Sequence, residues 1–331
     1  MIKIFFPKDW SDYELLDTGG GEKLERFGRF VLARPYDDAV WPKTLKKEWL
    51  EEDGRFVASK GNAKGEKSGK SGWKFKNKLP VRWEMEYKGI KFYASPTPFR
   101  HLGFFPEQAV HWNFIEEKIK SAGRPIKFLN LFGYTGLASL FALRSGADVT
   151  HVDASKLSIT WAKHNEKLSG LSGMRIMVDD VQKFIEREEK RGNKYDCIIM
   201  DPPKFGRGPK GEIWKLEENL GKLLLQVRKI LSDKPLFVIL NSYATDSSSL
   251  SLGYALENAM KGLGGKTESG ELCLPEKSAG RLIPLSNCAI WSNVIANNKR
   301  LPKPDCIDNN SVTGSLAFSF SNNRAFEQAL F

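Results

Sequence analysis

Residues 126–153 read IKFLNLFGYTGLASLFALRSGADVTHVD, and the fold class is decided within them. IKFLNLF (126–132) is apolar almost throughout rather than alternating, as expected of a strand covered on both faces. GLASLFALRSG then has helical spacing, with Thr135 as a candidate cap and Gly146 as the stop. DVTHVD (148–153) is a second strand only a few residues beyond that glycine. A strand, a helix and a strand this close together pair in parallel, with the helix laid across the sheet.

The unit repeats outward. SKLSITWAKHNEKL (155–168) reads as a helix with Leu157, Trp161, His164 and Leu168 on one face, and His164 is expected to pack where helix meets sheet. MRIMVDD, YDCIIMD and PLFVILN supply three more strands, with helices expected over 181–191 and 213–231. Upstream, WEMEYKGIKFYA is a hairpin turning at Lys88-Gly89. FFPEQAVHWNFIEEKIKS is a helix opening near Pro106, with Val110, Phe114, Ile115 and Ile119 on one face.

In a sheet of this kind a ligand sits beyond the carboxyl ends of the strands. Those ends read NLFGYTG, HVDAS, VDDV and DPPKFG, so each offers glycines or carboxylates. Gly133 and Gly136 let backbone approach a ligand, at a helix start that is electropositive. Asp153 stands where one side chain can accept from two vicinal hydroxyls, and Asp179 and Asp180 where they can accept from an exocyclic amine. Each carboxylate alone also suits a helix cap. Directly after CIIM, the two prolines of DPPKFG end the strand and leave Asp201 held above the sheet edge.

Composition bounds the rest. The chain has 331 residues, 41% hydrophobic and 27% charged, room for a large domain and a smaller one. Neither a signal peptide nor a membrane span is apparent, and the four cysteines are far apart with no C-x-x-C pair. A cytoplasmic protein without a metal site is expected. Net charge is +11, of which +6 falls in KGNAKGEKSGKSGWKFKNK (60–78). This stretch reads as a flexible basic loop, with Trp73 and Phe75 placed to stack on bases; a merely solvated insertion is the alternative. Its GEKSGKS is no phosphate-binding loop, because Lys64 stands where the first glycine is required.

The ordered set NLFGYTGLASL, THVDAS, VDDVQKF and YDCIIMDPPKFGRG resembles the class I S-adenosylmethionine-dependent methyltransferases. It is most similar to the bacterial large-subunit ribosomal RNA group acting on cytosine C5 or guanine N7. The resemblance spans roughly residues 80–295. It implies an α/β, Rossmann-like fold with a mostly parallel seven-stranded sheet whose last strand is antiparallel, ELCLPEK and SNCAIWSNVIA supplying the final two strands. Outside the resemblance, short aromatic runs and turns make residues 1–80 a small N-terminal β-rich module that carries the basic loop 60–78. A hairpin and helix (81–125) would lead into the catalytic domain (126–296), and the tail (297–331), also outside the resemblance and rich in asparagine and serine, reads as a poorly structured extension. Carried over, the resemblance puts Asn130 and Phe132, Gly133, Tyr134, Thr135 and Gly136 at the methionine end of the cofactor. Asp153, with Ala154 and Ser155, would take the ribose, and Asp179, Asp180 and Val181 the adenine. Gln108 would close over the cofactor, in a segment where this chain has Ala109 in place of the family's arginine. Asp201, Pro202, Pro203 and Lys204 would form the base pocket.

The reaction that this likeness implies is methyl transfer from S-adenosylmethionine to a nucleobase of RNA, ribosomal RNA by the same likeness. Asp201 and the Pro202 carbonyl would anchor the base and Phe205 would stack on it, while Lys204, Arg207, Lys70, Lys74 and Lys76 meet phosphate. The residues after Phe205 hold no cysteine, and Cys197 lies within a strand. Direct attack by a nitrogen is therefore favoured over the covalent route to cytosine C5. Competing readings are a nicotinamide-dependent oxidoreductase, a methyltransferase with a non-RNA acceptor, and a non-catalytic RNA binder. The first lacks the third glycine of G-x-G-x-x-G, and the last needs no set of carboxylates.

Overall fold

The computed structural model describes residues 2–58, 60–61, 67–68, 71–207, 213–243 and 248–293. In chain order the strands are β1 (Lys3–Phe5), β2 (Tyr13–Gly19), β3 (Glu22–Phe27), β4 (Phe30–Pro35), β5 (Gly54–Val57) and β6 (Gly72–Phe75). The hairpin β7 (Trp83–Tyr87) and β8 (Ile90–Ala94) follows, then β9 (Lys127–Leu131), β10 (Asp148–Asp153), β11 (Arg175–Val178) and β12 (Cys197–Met200). The last strands are β13 (Phe237–Ser242), β14 (Lys266–Pro275) and β15 (Leu282–Ser292). The helices are α1 (Lys46–Leu50), α2 (Ala109–Ser121), α3 (Leu137–Arg144), α4 (Lys156–Leu168), α5 (Val181–Lys190), α6 (Leu216–Lys229) and α7 (Ser249–Ala259).

The main sheet runs β1-β14-β15-β13-β12-β9-β10-β11. From β13 to β11 every pairing is parallel, and β15 alone runs antiparallel to both of its neighbours. The expected seven strands are present, and Lys3–Phe5 adds an eighth beside β14. The chain's first strand thus belongs to the main sheet and not to the small module. Core packing follows the pleat: Phe128 and Ile199 pack on one face, with α2 and α3. Leu129 and Ile198 pack on the other, with α5, α6 and α7. The small sheet, β2-β3-β4-β5-β6, is bolted to the far strands. Glu276 accepts from the Thr18 N–H at 2.6 Å and its hydroxyl at 2.5 Å, Ser278 donates to Asp17 at 2.6 Å, and the Tyr36 hydroxyl donates to the Pro284 carbonyl at 2.7 Å.

Four local expectations are corrected. Thr135 does not cap α3; Gly136 takes that position at φ 89°, and the Thr135 hydroxyl donates to the Gly103 carbonyl at 2.6 Å. The buried face of α4 is Ser158, Ile159, Ala162 and Asn165, whereas Leu157 is 83% exposed and His164 is also exposed, near Arg82. Leu157 and Trp161 face a cavity, and that gives them the same spacing as residues packed on a core. Residues 213–215 form a short strand against Phe205–Arg207 instead of starting a helix, held by the Trp214 indole donating to the Pro203 carbonyl at 2.6 Å. Finally, the end of the basic stretch is no loop: Trp73 and Phe75 alternate along β6, which pairs antiparallel with β5. Lys64, Lys70 and residues 297–331 lie outside the described residues. Among the described residues no helix is long and apolar enough to cross a membrane.

Candidate active site

The carboxyl ends of β9, β10, β11 and β12 open into a cavity of about 1390 Å³, closed on its other side by the small sheet and the segment 95–107. A site for one drug-sized ligand occupies roughly 300–1,000 Å³, so there is room for a cofactor and part of a second molecule.

After β9 the backbone turns sharply. Phe132 (φ 56°) and Tyr134 (φ 51°) sit in the left-handed region, which non-glycine residues adopt only where their surroundings hold them. Asp153 does the holding: its carboxylate accepts from the Tyr134 N–H at 2.9 Å and the Ser155 N–H at 2.8 Å. Gly133 is required by packing, since a Cβ there would lie 2.3 Å from the His151 ring. Each Asp153 oxygen has a second lone-pair direction, and the residue borders the cavity together with Ala154 and Ser155. Burial raises its pKa, and the two backbone hydrogen bonds oppose that rise.

Asp180 caps α5 by accepting from the Lys183 N–H at 3.0 Å, and it borders the cavity with Val181 and Gln182. The Gln182 side-chain amide nitrogen is buried without a partner beside that wall, a donor in want of an acceptor. Asp179 is corrected: its carboxylate is taken by Arg187 and it does not line the cavity. Asn130 and Thr135 are corrected likewise. The Asn130 amide donates to the Ser139 hydroxyl at 3.0 Å, and that hydroxyl meets His151 at 3.0 Å, so both residues brace the turn from beneath.

Asp201, which also borders the cavity, lies at the start of the DPPK segment. Burial pushes its carboxyl up to about 7; the Gln108 hydrogen bond lowers it and Glu107 raises it further. The Gln108 amide donates to Asp201 at 2.9 Å and to the Tyr243 hydroxyl at 3.2 Å. Phe105 packs against Tyr134 and Tyr243, with ring centroids at 5.8 and 4.9 Å. Pro202, Pro203 and Lys204 border the cavity, whereas Phe205, expected to stack on the base, is 54% exposed and is not part of the cavity wall. Of the remaining candidates, Trp73 spends its indole N–H on the Thr97 and Phe99 carbonyls, and Lys76 is tied to Glu52 at 2.8 Å. Lys74 is exposed, and nothing is described of the Arg207 side chain. Reasoning from sequence missed Glu107, Gln182, Trp214 and Tyr243. Of these only Glu107 and Gln182 adjoin a recognised motif.

No protein-family model matches the chain. The chain is 30% identical over 185 residues to a ribosomal RNA large subunit methyltransferase K/L of Alteromonas mediterranea, covering 54% of this chain and 26% of that one. It is 29% identical over 192 residues to a ribosomal RNA large subunit methyltransferase K of Neisseria meningitidis, covering 57% and 51%. It therefore spans between a quarter and a half of the length of these curated relatives. The solved SAM-dependent methyltransferase of Agrobacterium tumefaciens is similar over nearly its whole length: 41% identity, 87% of this chain and 93% of that one, with a TM-score of 0.82. The residues fit that cofactor: Asp153 retains acceptor directions for a pair of hydroxyls, and Asp180 and Gln182 at the cavity wall offer an acceptor and an unpartnered donor. The chain belongs to the S-adenosylmethionine-dependent methyltransferases.

Proposed function

We propose that this enzyme methylates a nucleobase of RNA, with ribosomal RNA, and hence the cytoplasm, as its setting. The observation that carries the reading is Asp201: a carboxyl with its pKa near 7, at the wall of a cavity too large for the cofactor alone. A group titrating near neutrality can accept an N–H of the base and then take its proton. The names of the curated relatives and the net charge of +11 support an RNA acceptor.

S-adenosylmethionine supplies a methyl group already activated by its sulfonium, so alignment is the main task left to the protein. In this reading Asp153, Ala154 and Ser155 hold the ribose, Asp180, Val181 and Gln182 the adenine, and the Phe132–Gly136 turn the methionine end. Asp201 and the Pro202 carbonyl receive the polar edge of the base, Phe205 stacks on its face, and Lys204, Arg207 and Lys74 meet phosphate. A nitrogen is the favoured acceptor. Cys197, Cys273 and Cys288 are buried, none lines the cavity, and burial raises the thiols of Cys197 (well above its usual value) and Cys273 (to about 12). Such thiols are poor nucleophiles.

Labelled S-adenosylmethionine supplied with ribosomal RNA, transfer RNA and total protein decides the acceptor. RNA-dependent transfer, with a methylated nucleoside found by mass spectrometry after digestion, is expected. Label entering only protein or small molecules overturns the reading.

A further inference from the structure

Behind Gln108 stands a row of buried polar side chains for which the site as described has no use. His111 and Asn241 are both 0% exposed. The His111 Nε2 lies 2.8 Å from the Asn241 carbonyl oxygen, and the Asn241 amide nitrogen donates to the Gln108 carbonyl oxygen at 3.1 Å. The Gln108 amide nitrogen in turn donates to Asp201 and to Tyr243. Tyr243 closes the row near Glu107; burial raises the pKa of the tyrosine, and the charge of Glu107 raises it further.

We propose that His111 and Asn241 are positioning residues of methyl transfer, which lock the Gln108 amide so that its N–H groups, and not its oxygen, face Asp201. The proposal rests on the reading of Asp201 as the anchor of the base. The polarity propagates along the row by donor and acceptor capacity alone. An amide oxygen only accepts, so the Asn241 oxygen requires a proton on His111 Nε2. With that oxygen occupied, the Asn241 NH₂ is turned to Gln108, and the Gln108 oxygen is thereby used up. Only the Gln108 NH₂ remains for Asp201. A flipped amide would set oxygen against carboxylate oxygen and leave Asp201 without a donor.

Two features of His111 fit this role. Burial holds its pKa at about 4, so the ring is neutral and carries one proton, which the row assigns to Nε2. Its Nδ1 is buried with no hydrogen-bond partner. A histidine placed only to be satisfied in a core would use both nitrogens; this one uses the nitrogen that sets the row.

The test is made on the full chain with S-adenosylhomocysteine as the binding probe and ribosomal RNA as the acceptor. His111→Phe and Asn241→Leu should bind S-adenosylhomocysteine within about twofold of the parent while kcat falls roughly tenfold to a hundredfold. The acidic limb of the pH–kcat profile should move to higher pH, because Asp201 loses the N–H that favours its ionised form. The groups facing Asp201 that also titrate are Glu107 and Tyr243, with Lys23 and Arg34 acting on Glu107. His111→Gln returns an N–H to Asn241 and should restore most of the loss, which repair of packing alone would not predict. Parent-like kcat and pH limb in folded His111→Phe and Asn241→Leu overturn the proposal. Should neither variant fold, ¹⁵N NMR of the parent decides, since an Nδ1–H tautomer at His111 contradicts the row. If Asp201→Asn itself keeps full turnover, the reading beneath has failed; if it is inactive while His111 and Asn241 are dispensable, only the present proposal has.

Discussion

Replacing Asp153 by alanine should separate binding from stability in a way the geometry fixes beforehand. In the free protein the carboxylate satisfies two backbone N–H groups, those of Tyr134 and Ser155. Their loss falls on the fold, at roughly 1–3 kcal/mol for each polar group left unpaired, less where water reaches it. In the complex the same oxygens would also accept the two ribose hydroxyls. Hydrogen bonds to a charged acceptor contribute about 1.5–3 kcal/mol each, and water compensates part of the loss. A net binding penalty of about 2–4 kcal/mol is expected, or roughly a 30- to 1,000-fold rise in Kd. Isothermal titration with S-adenosylhomocysteine reads the second quantity and thermal denaturation the first. Asp153→Asn should fall between, since it keeps one acceptor oxygen and sets an NH₂ against one of the backbone donors. An Asp153→Ala protein with a native circular dichroism spectrum and unchanged Kd would refute the assignment of this carboxylate to the cofactor.

Asp201 gives a stability prediction of the opposite sign. Its folded pKa lies above the unfolded value, so its favourable contribution is complete below about pH 4 and is lost as pH rises through about 7. Asp201→Asn should therefore be more stable than the parent at pH 8, by on the order of 2–4 kcal/mol, and gain less at pH 5, while turnover is abolished; equal melting shifts at both pH values would contradict the assignment. Gly133→Ala should destabilise by about 1–3 kcal/mol and weaken cofactor binding, because the new methyl meets the His151 ring; denaturant titration with and without S-adenosylhomocysteine checks both. Replacing Cys197, Cys273, Cys288 and Cys306 singly by alanine should leave methyl transfer in place, and one folded, cofactor-binding but inactive variant would end the nitrogen reading. Lys74→Glu should weaken RNA binding and flatten its salt dependence without altering cofactor affinity, as fluorescence anisotropy across a salt series would measure.

What could be read from sequence was whatever local chemistry decides. The apolar runs of β9, β10, β12 and β13 and the glycine stop after α3 follow from short-range patterns, and so do the carboxylates at the strand ends. What escaped depends on contacts between distant residues. Asp179 and Asp180 are adjacent and chemically alike, and only the position of Arg187 on α5 separates a carboxylate held in an ion pair from one at the cavity wall. The stripe of α4 was misjudged because an apolar residue facing a cavity has the same pattern as one facing a core. Tyr243 adjoins no motif, and it reaches Gln108, 135 positions earlier, only because β13 lies beside β12. Trp73 has the place in sequence of a base-stacking ring, yet its indole serves a carbonyl 24 residues away.

The pairing of β1 with β14 matters for the order in which the molecule can be made. Lys3 is in register with Gly270, and a Cβ on that glycine would lie 2.0 Å from the Lys3 carbonyl oxygen, so the strand seats only where a side chain is missing. Everything from β2 to β12 can be synthesised, and much of it folded, while β1 has nowhere to go. The small sheet waits in the same way for Glu276 and Ser278, the residues that fasten it. Contacts of such sequence separation are slow to form, and an unpaired strand is prone to find another partner in the meantime. During translation the cofactor edge can therefore be assembled well before the cavity is closed over it. Closure comes only when the last two strands leave the ribosome.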